Sequence, residues 1–248
     1  MPNMDIFFEI YQDLPRQGPG NNESTRKMFS LLTNLSPNPS ILDIGCGTGM
    51  QTLELAKLTD GNIIAVDNHQ PYLEQLKSQV LIKGLTEKVV TVNASMLSLE
   101  FEEKSFDVIW SEGAIYIIGF EKGLQTWRPL LKAKGYLVVS EISWLKSNPP
   151  TEVLQYWQAN YPYIQTIESN IRIVEDVGYR KVGHFVLPKS GWWESYYTPL
   201  EERIRSLREK YKDDEAMNKE LDNSLLEIEF YRKYSDWYGY VFYLMQVP

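Results

Sequence analysis

One acidic residue and three regularly spaced glycines form the pattern in this chain that is most suggestive of chemistry. Asp43 is followed at every second position by Gly45, Gly47 and Gly49, directly after a short apolar run. A helical pattern over residues 51–58 comes next. A glycine-rich turn between a buried strand and a helix lets a ligand approach the backbone, and the helix start offers free N–H groups. The stretch therefore predicts a binding turn for a nucleotide-like ligand.

The spacing of these glycines separates the turn from two common nucleotide motifs. A dinucleotide fingerprint requires Gly-x-Gly-x-x-Gly or Ala. Here Met50 occupies the sixth position, and the third glycine comes one residue earlier. A P-loop is excluded because no Gly-Lys-Ser or Gly-Lys-Thr follows. A nicotinamide dehydrogenase is disfavoured further, because no acid–base pair for hydride transfer is evident.

Apolar strand patterns alternate with helical patterns along most of the chain. Strands are predicted at 41–44, 62–67, 89–93, 106–111, 136–141, 178–187 and 239–247. Helices are predicted at 4–14, from Asn22 or Ser24 to 35, and at 51–58, 71–83, 120–131, 151–160, 165–177, 200–211 and 214–234. This alternation predicts an α/β fold. We expect a doubly wound, Rossmann-like sheet of seven strands, mostly parallel with an antiparallel edge strand, and helices on both faces.

The chain shows no convincing linker, so a single domain over residues 1–248 is expected. Its predicted parts are an N-terminal helical cap (1–36), a ligand-binding core (37–142) and a final part with further helices and the last two strands (143–248). The loop 16–20 is rich in Pro and Gly. It is interpreted either as a lid over the ligand or as a cover for the sheet.

Polar residues follow the next three predicted strands, where the carboxyl ends of a doubly wound sheet form its binding edge. Asp67 ends the second strand and is followed by Asn68. A carboxylate accepts two hydrogen bonds and can hold both hydroxyls of a ribose. Ser95 and Met96 come after the third strand, and Glu112 comes after the fourth. The sequence therefore predicts that these side chains share one site.

The pattern Asp-x-Gly-x-Gly-x-Gly resembles motif I of the class I S-adenosylmethionine-dependent methyltransferases. Asp67 and the segment 99–107, Leu-x-Phe followed by Ser-Phe-Asp, add to the resemblance, which covers most of residues 37–142. The chain is most similar to the small-molecule branch that includes the ubiquinone/menaquinone biosynthesis methyltransferases. The resemblance implies S-adenosylmethionine as cofactor, a small-molecule acceptor, and release of S-adenosylhomocysteine after in-line displacement.

The resemblance also implies which residues contact the cofactor. They are Asp43, Gly45, Cys46, Gly47, Gly49, Asp67, Asn68, Ser95, Met96 and Glu112. Asp43 is expected either to order the turn or to hold the amino group of the cofactor. That branch usually has an aspartate where this chain has Ser95, so Ser95 is expected to accept one hydrogen bond from the adenine.

A general base is needed only where the acceptor's nucleophile carries a proton of high pKa. The candidates are Glu112, Tyr116 and His184. Glu112 has the alternative roles of contacting the cofactor or ordering its loop, and His184 that of an ordinary structural residue on a strand. The aromatic run 192–197 is interpreted either as the roof of an acceptor pocket or as core packing.

Composition narrows the possible partners, metal content and location of the protein. A net charge of −8 without a basic stripe argues against nucleic-acid partners. The single cysteine excludes an intrachain disulfide and a cysteine zinc cluster, and we expect no metal. No apolar run reaches the length of a membrane span, and the start of the chain lacks a secretory pattern. A cytoplasmic enzyme is therefore expected, with a homodimer as one possibility. A protein that binds S-adenosylmethionine without transferring a methyl group is the alternative.

Overall fold

The computed structural model describes residues 4–248. Its strands are β1 (Ser40–Ile44), β2 (Asn62–Asp67), β3 (Val89–Asn93), β4 (Phe106–Ser111), β5 (Leu131–Trp144), β6 (Gln165–Thr166), β7 (Arg180–Val186) and β8 (Tyr238–Gln246). The α-helices are α1 (Met4–Tyr11), α2 (Asn22–Phe29), α3 (Met50–Leu58), α4 (Gln70–Ile82), α5 (Phe120–Trp127), α6 (Thr151–Asn160), α7 (Ile167–Asp176), α8 (Ser190–Trp192), α9 (Thr198–Lys210) and α10 (Glu215–Tyr234). Two short 3-10 helices (Ile115–Ile117 and Arg128–Leu130) and a π-helical turn (Trp193–Tyr197) complete the set.

The predicted doubly wound sheet is confirmed. Its strands lie in the order β3-β2-β1-β4-β5-β8-β7, and the neighbours from β3 to β5 are parallel. The antiparallel strand is β8, which lies between β5 and the edge strand β7. The strand order reverses between β1 and β4, so the carboxyl ends of these two strands form the switch point at which such sheets bind ligands.

The centre of the sheet is covered on both faces, because β1 and β4 bury apolar side chains on each side. Ile41 and Val108 pack in the core on one face, and Leu42 and Ile109 pack in the core on the other. Successive side chains of a strand point to opposite faces. A continuous apolar run therefore requires helices on both sides.

Some predicted boundaries were wrong. The sheet has an eighth strand, β6, at the predicted start of a helix, where two residues pair with the end of β5. The second helix ends at Phe29 rather than at residue 35, and its cap is Asn21, whose Oδ1 accepts the Ser24 N–H at 2.8 Å. The helix predicted to reach residue 131 ends at Trp127, because Pro129 cannot continue it. The domain division after residue 142 stays a prediction, and β5 runs past it to Trp144.

The N-terminal segment packs against the last helices of the chain. Ile10 and Tyr11 are buried in the same core as Leu200 and Ile204 of α9. Arg203 donates from Nη2 to the carbonyl oxygen of Glu9 at 3.0 Å. These contacts hold the start of the chain over the binding edge of the sheet. Within residues 4–248, the helices are all too short or too polar to cross a membrane.

Candidate functional site

The turn after β1 is anchored to the neighbouring strand. The N–H groups of Gly45 and Cys46 both donate to the carbonyl oxygen of Val66, at 2.8 and 3.0 Å. Gly45 has φ of +72°, and a Cβ there would lie 2.5 Å from the Cβ of Ala114. A larger residue is therefore excluded by both backbone conformation and space. No side chain caps the start of α3, whose N-terminal dipole favours a negatively charged group.

Asp43 lies beneath this turn and is fully buried. Its carboxylate accepts hydrogen bonds from Thr52 Oγ1 at 2.5 Å and from Gln51 Nε2 at 3.5 Å. Burial raises the pKa of Asp43 to about 7, against the opposing effect of the Thr52 hydrogen bond. Asp43 is not among the residues that line the neighbouring cavity. Of its two predicted roles, these contacts support the ordering of the turn.

Asp67 faces the cavity from the end of β2. Its Oδ2 accepts the Gly47 N–H and its Oδ1 accepts the His69 N–H, each at 2.9 Å. Burial raises the pKa of Asp67, although these backbone hydrogen bonds act to lower it. The two bonds fix the orientation of the carboxylate and leave each oxygen free to accept a further hydrogen bond. Asp67 is therefore arranged to hold a diol.

The opposite wall comes from the segment after β3. Ser95 and Met96 line the cavity together with Ala94 and Leu97. Ser95 Oγ accepts the Leu97 N–H at 3.2 Å. The Ser95 hydroxyl keeps its proton for another acceptor. This wall combines one polar side chain with the soft apolar surface of a methionine, which suits a flat heteroaromatic ring.

Glu112 is held in the wall by three donors. Arg16 Nη1 forms a buried ion pair with it at 2.9 Å, Thr25 Oγ1 donates at 2.7 Å, and Trp110 Nε1 donates at 2.9 Å. A carboxylate with these partners is poorly available as a base. The contacts support its predicted role in ordering the loop, although Glu112 also lines the cavity.

The other two candidate bases lie in different places. Tyr116, on the first 3-10 helix, lines the cavity, and burial raises its pKa. His184 lies on β7, at the edge of the sheet, where its ring stacks on Tyr243 at 6.4 Å. His184 does not line the cavity. β7 lies three places from β4 in the sheet order, so the position of His184 supports its alternative role as a structural residue on a strand, and a catalytic role stays a prediction.

Sequence reasoning missed two N-terminal side chains that line the site. Arg16 makes the ion pair to Glu112, and Gln17 Oε1 accepts hydrogen bonds from both Thr48 N and Thr48 Oγ1 at 3.1 Å. The only sequence signal was the Pro- and Gly-rich loop that contains them. This loop lines the cavity, so of its two predicted roles the contacts favour the lid.

The cavity at the switch point has a volume of about 400 Å³. It brings together ten of the predicted residues. They are Gly45, Cys46, Gly47, Gly49, Asp67, Asn68, Ser95, Met96, Glu112 and Tyr116. Within residues 4–248, no cluster of three or more His, Cys, Asp or Glu side chains is arranged to hold a metal ion. The site therefore consists of a glycine turn, the Asp67 carboxylate and the wall formed by Ser95 and Met96.

Comparison with known protein families identifies the part of the chain that carries this site. Residues 41–135 match the family described as "Methyltransferase domain". This segment is similar to methyltransferase domains. The domain runs from β1 into β5, and it contains every predicted cofactor contact.

Relatives of known name also match part of this chain. A sterol 24-C-methyltransferase of Aspergillus fumigatus is 28% identical over 109 residues, which cover 44% of this chain and 28% of that protein. The chain spans about half or less of the length of the curated relatives it matches.

Solved structures share the fold over the whole chain. A Thiobacillus denitrificans methyltransferase, solved with S-adenosylhomocysteine, superposes with a TM-score of 0.85 at 20% identity and covers 100% of both chains. The [4+2]-cyclase SpnF superposes at 0.76 with 15% identity, covering 99% of this chain and 92% of that one. Proteins that are named for different reactions share this fold, so the fold alone does not define the reaction of this chain.

Residues outside the methyltransferase domain close the cavity from above. Phe7 and Phe8 of α1 line it, and Tyr11 of the same helix stacks on Tyr196 with ring centroids 6.2 Å apart. Tyr196 is buried, as are Trp192 and Tyr197. The aromatic run 192–197 thus serves mainly as core packing, and it connects the cap to the C-terminal helices.

Proposed function

We propose that this protein transfers a methyl group from S-adenosylmethionine to a small-molecule acceptor and releases S-adenosylhomocysteine. The observation that carries this proposal is the convergence of the glycine turn and Asp67 on one cavity at the switch point. The methyltransferase domain and the named methyltransferase relatives support it.

The residues present fit this cofactor. Gly45 and Gly47 form a cradle that a Cβ would fill, because it would lie 2.5 Å from Ala114 Cβ or 2.7 Å from Gln17 Oε1. The cradle would hold the methionine part, Asp67 the ribose hydroxyls, and the Ser95–Met96 wall the adenine. When bound, S-adenosylmethionine supplies a methyl group already activated on a sulfonium. The protein then contributes mainly proximity and orientation.

The loop residues keep the reacting groups in place and exclude water. Arg16 and Gln17 fasten the N-terminal segment to Glu112 and to Thr48, which lie on different sides of the cavity. The segment therefore has to open for a ligand to enter and to close before reaction. A closed, water-poor site strengthens electrostatic interactions with the reacting atoms.

A cavity of about 400 Å³ suits a small acceptor better than a polymer. The net charge of −8 further disfavours nucleic acid. We also propose a cytoplasmic location, supported only by the single cysteine. A homodimer stays a prediction of the sequence.

Calorimetry with S-adenosylhomocysteine tests the cofactor site. We expect the wild-type protein to bind it and Asp67→Ala to lose at least tenfold in affinity, because two hydroxyl contacts disappear. Asp60→Asn is the matched control, because Asp60 has 86% of its side chain exposed. Equal binding by wild type and Asp67→Ala, or binding of NAD instead, contradicts the proposal.

Transfer of a labelled methyl group to extracted metabolites tests the reaction itself. A labelled small molecule supports methyl transfer. Binding of S-adenosylhomocysteine with no labelled acceptor across broad extracts favours the alternative, a cofactor-binding protein without transferase activity.

A further inference from the structure

Three tyrosines form a continuous strip from the cavity to the protein surface. Tyr116 lines the cavity. Its ring meets that of Tyr161 edge to face, with centroids 6.1 Å apart, and Tyr161 meets Tyr163 in the same way at 5.9 Å. Tyr161 is partly buried, whereas 73% of Tyr163 is exposed. These three side chains, which we call the tyrosine strip, therefore extend the wall of the cavity outwards.

The outer two tyrosines lie on a short connection between α6 and β6 that is held in place. The Tyr161 N–H donates to the carbonyl oxygen of Trp157 at 2.8 Å, and the Ile164 N–H donates to that of Tyr161 at 3.2 Å. Ile164 is itself buried in the core. These contacts fix the connection on either side of Tyr163, so its ring is held at the surface.

The cavity has further apolar side chains that are open to solvent. Leu97, in the segment after β3, and Ile117, next to Tyr116, both line it, and they are 57% and 58% exposed. Exposed apolar side chains that gather at one site often mark a binding surface. Together with the tyrosine strip they form an apolar surface that begins at the cavity.

The charged side chains of the cavity already have partners. Of the described residues that line it, only Arg16, Asp67 and Glu112 are charged. Arg16 and Glu112 form a buried ion pair with each other at 2.9 Å. Asp67 accepts two backbone N–H groups, and the proposed function assigns its remaining capacity to the ribose hydroxyls. None of these three is left to neutralise a charged acceptor, and burying an unpaired charge is costly.

We infer that the acceptor is uncharged and that the tyrosine strip binds an apolar tail of the acceptor that extends out of the cavity. The reactive end lies beside Tyr116, and the tail passes over Tyr161 towards Tyr163. Because the strip begins at a residue that lines the cavity, its occupant is a molecule that also enters the cavity. Aromatic rings offer such a tail a large apolar area. The inference rests on the proposed function, because it names the substrate class of the same site.

Calorimetry on the full chain saturated with S-adenosylhomocysteine tests the tail with 1-hexanol and 1-decanol. Complete removal of one methylene from water raises affinity roughly fourfold. Because the strip leaves one side of the tail exposed, we expect 1-decanol to bind at least about tenfold more tightly than 1-hexanol. Equal affinities, or no binding of 1-decanol by protein that binds S-adenosylhomocysteine, would overturn the inference. Failure to bind S-adenosylhomocysteine refutes the proposed function instead, so the two failures are distinguishable.

Two charged probes with the same tail test whether the acceptor is uncharged. Decylammonium has a positive head and decanoate a negative one. We expect each to bind at least about tenfold more weakly than 1-decanol, because no charged side chain in the described part of the cavity is free to pair with the head. Binding of either charged probe that is as tight as that of 1-decanol contradicts the inference.

Tyr163→Ser tests the outer end of the tyrosine strip. It should weaken binding of 1-decanol roughly fivefold and leave binding of 1-hexanol and S-adenosylhomocysteine unchanged, because the shorter chain ends before Tyr163. Leu226→Ser is the matched control, because Leu226 is 48% exposed on α10 and does not line the cavity. Unchanged affinity for 1-decanol in Tyr163→Ser, an equal loss for both alcohols, or the same loss in Leu226→Ser contradicts the inference.

Sedimentation velocity distinguishes the acceptor's tail from a second copy of this chain as the occupant of the strip. We expect wild type and Tyr163→Ser to sediment alike. A dimer that is present in wild type and lost in Tyr163→Ser shows that another copy covers the strip, and it overturns the inference.

Discussion

The buried ion pair between Arg16 and Glu112 gives the sharpest test of how the N-terminal segment is held. Replacing Arg16 by Met keeps most of the side-chain volume and removes the positive charge. Glu112 then keeps its hydrogen bonds from Thr25 and Trp110 but loses its charged partner. The side chains of the pair are 5% and 2% exposed, so the ion pair is shielded from bulk solvent.

The expected cost follows from this burial. Breaking a buried ion pair by removing one partner costs about 3–5 kcal/mol of unfolding free energy. Because Thr25 and Trp110 still donate hydrogen bonds to Glu112, we expect a cost at the lower end of this range, roughly 3 kcal/mol. For a chain of this length that corresponds to a fall in Tm of about 6–12 °C. The double variant Arg16→Met with Glu112→Gln removes both charges and should recover part of the loss.

Urea unfolding followed by tryptophan fluorescence measures these differences, and limited proteolysis reports local opening of the N-terminal segment. Arg26→Met is the matched control. Arg26 pairs with Glu54 at 2.7 Å, but 51% of its side chain is exposed, so the expected cost is less than about 1 kcal/mol. If Arg16→Met costs no more than Arg26→Met and leaves proteolysis unchanged, the buried pair does not hold the segment.

Three further predictions concern the turn and its cover. The pKa of Asp43 in the folded protein, about 7, lies above its value in the unfolded chain. The contribution of Asp43 to the free energy of unfolding is therefore complete below about pH 4 and is lost as the pH rises towards 7. Asp43→Asn should therefore flatten the curve of stability against pH in that window, by at most about 4 kcal/mol, as urea midpoints at successive pH values would show. Gly45→Ala should lower the free energy of unfolding, measured with urea, by about 2 kcal/mol or more, because the new Cβ would meet Ala114. Gly84→Ala is the control: Gly84 also has a positive φ but has open space around it, so the loss should be smaller. Gln17→Ala should raise the rate of proteolysis within the loop 16–20, and an unchanged rate would show that its hydrogen bonds do not hold the loop.

Much of the cofactor side of the site could be predicted from local sequence. The apolar run before Gly45 requires a buried strand, and the glycine spacing requires a turn with left-handed backbone. Asp67 ends the next strand, and parallel strands bring their carboxyl ends to one edge. These inferences depend on residues close together in the chain and on one rule of sheet topology.

The functional assignment of individual polar side chains was less predictable. Glu112 was a candidate base by its position after β4, but its partners Arg16 and Thr25 come from almost a hundred residues earlier. His184 was a candidate because histidine is rare in this chain, and the strand order places it three strands away from β4. Both outcomes depend on which distant segments meet, which no local pattern contains.

The sequence by itself determined the strand–turn–helix unit around Gly45, the position of Asp67 at the end of β2 and the alternating α/β pattern, because short-range sterics and periodic burial control them. Only the tertiary structure decided that the N-terminal loop closes the cavity. It also brought Arg16 and Thr25 to Glu112. Burial and charge at these positions arise from packing between segments far apart in the chain, and they determine whether a carboxylate orders a loop or faces a ligand.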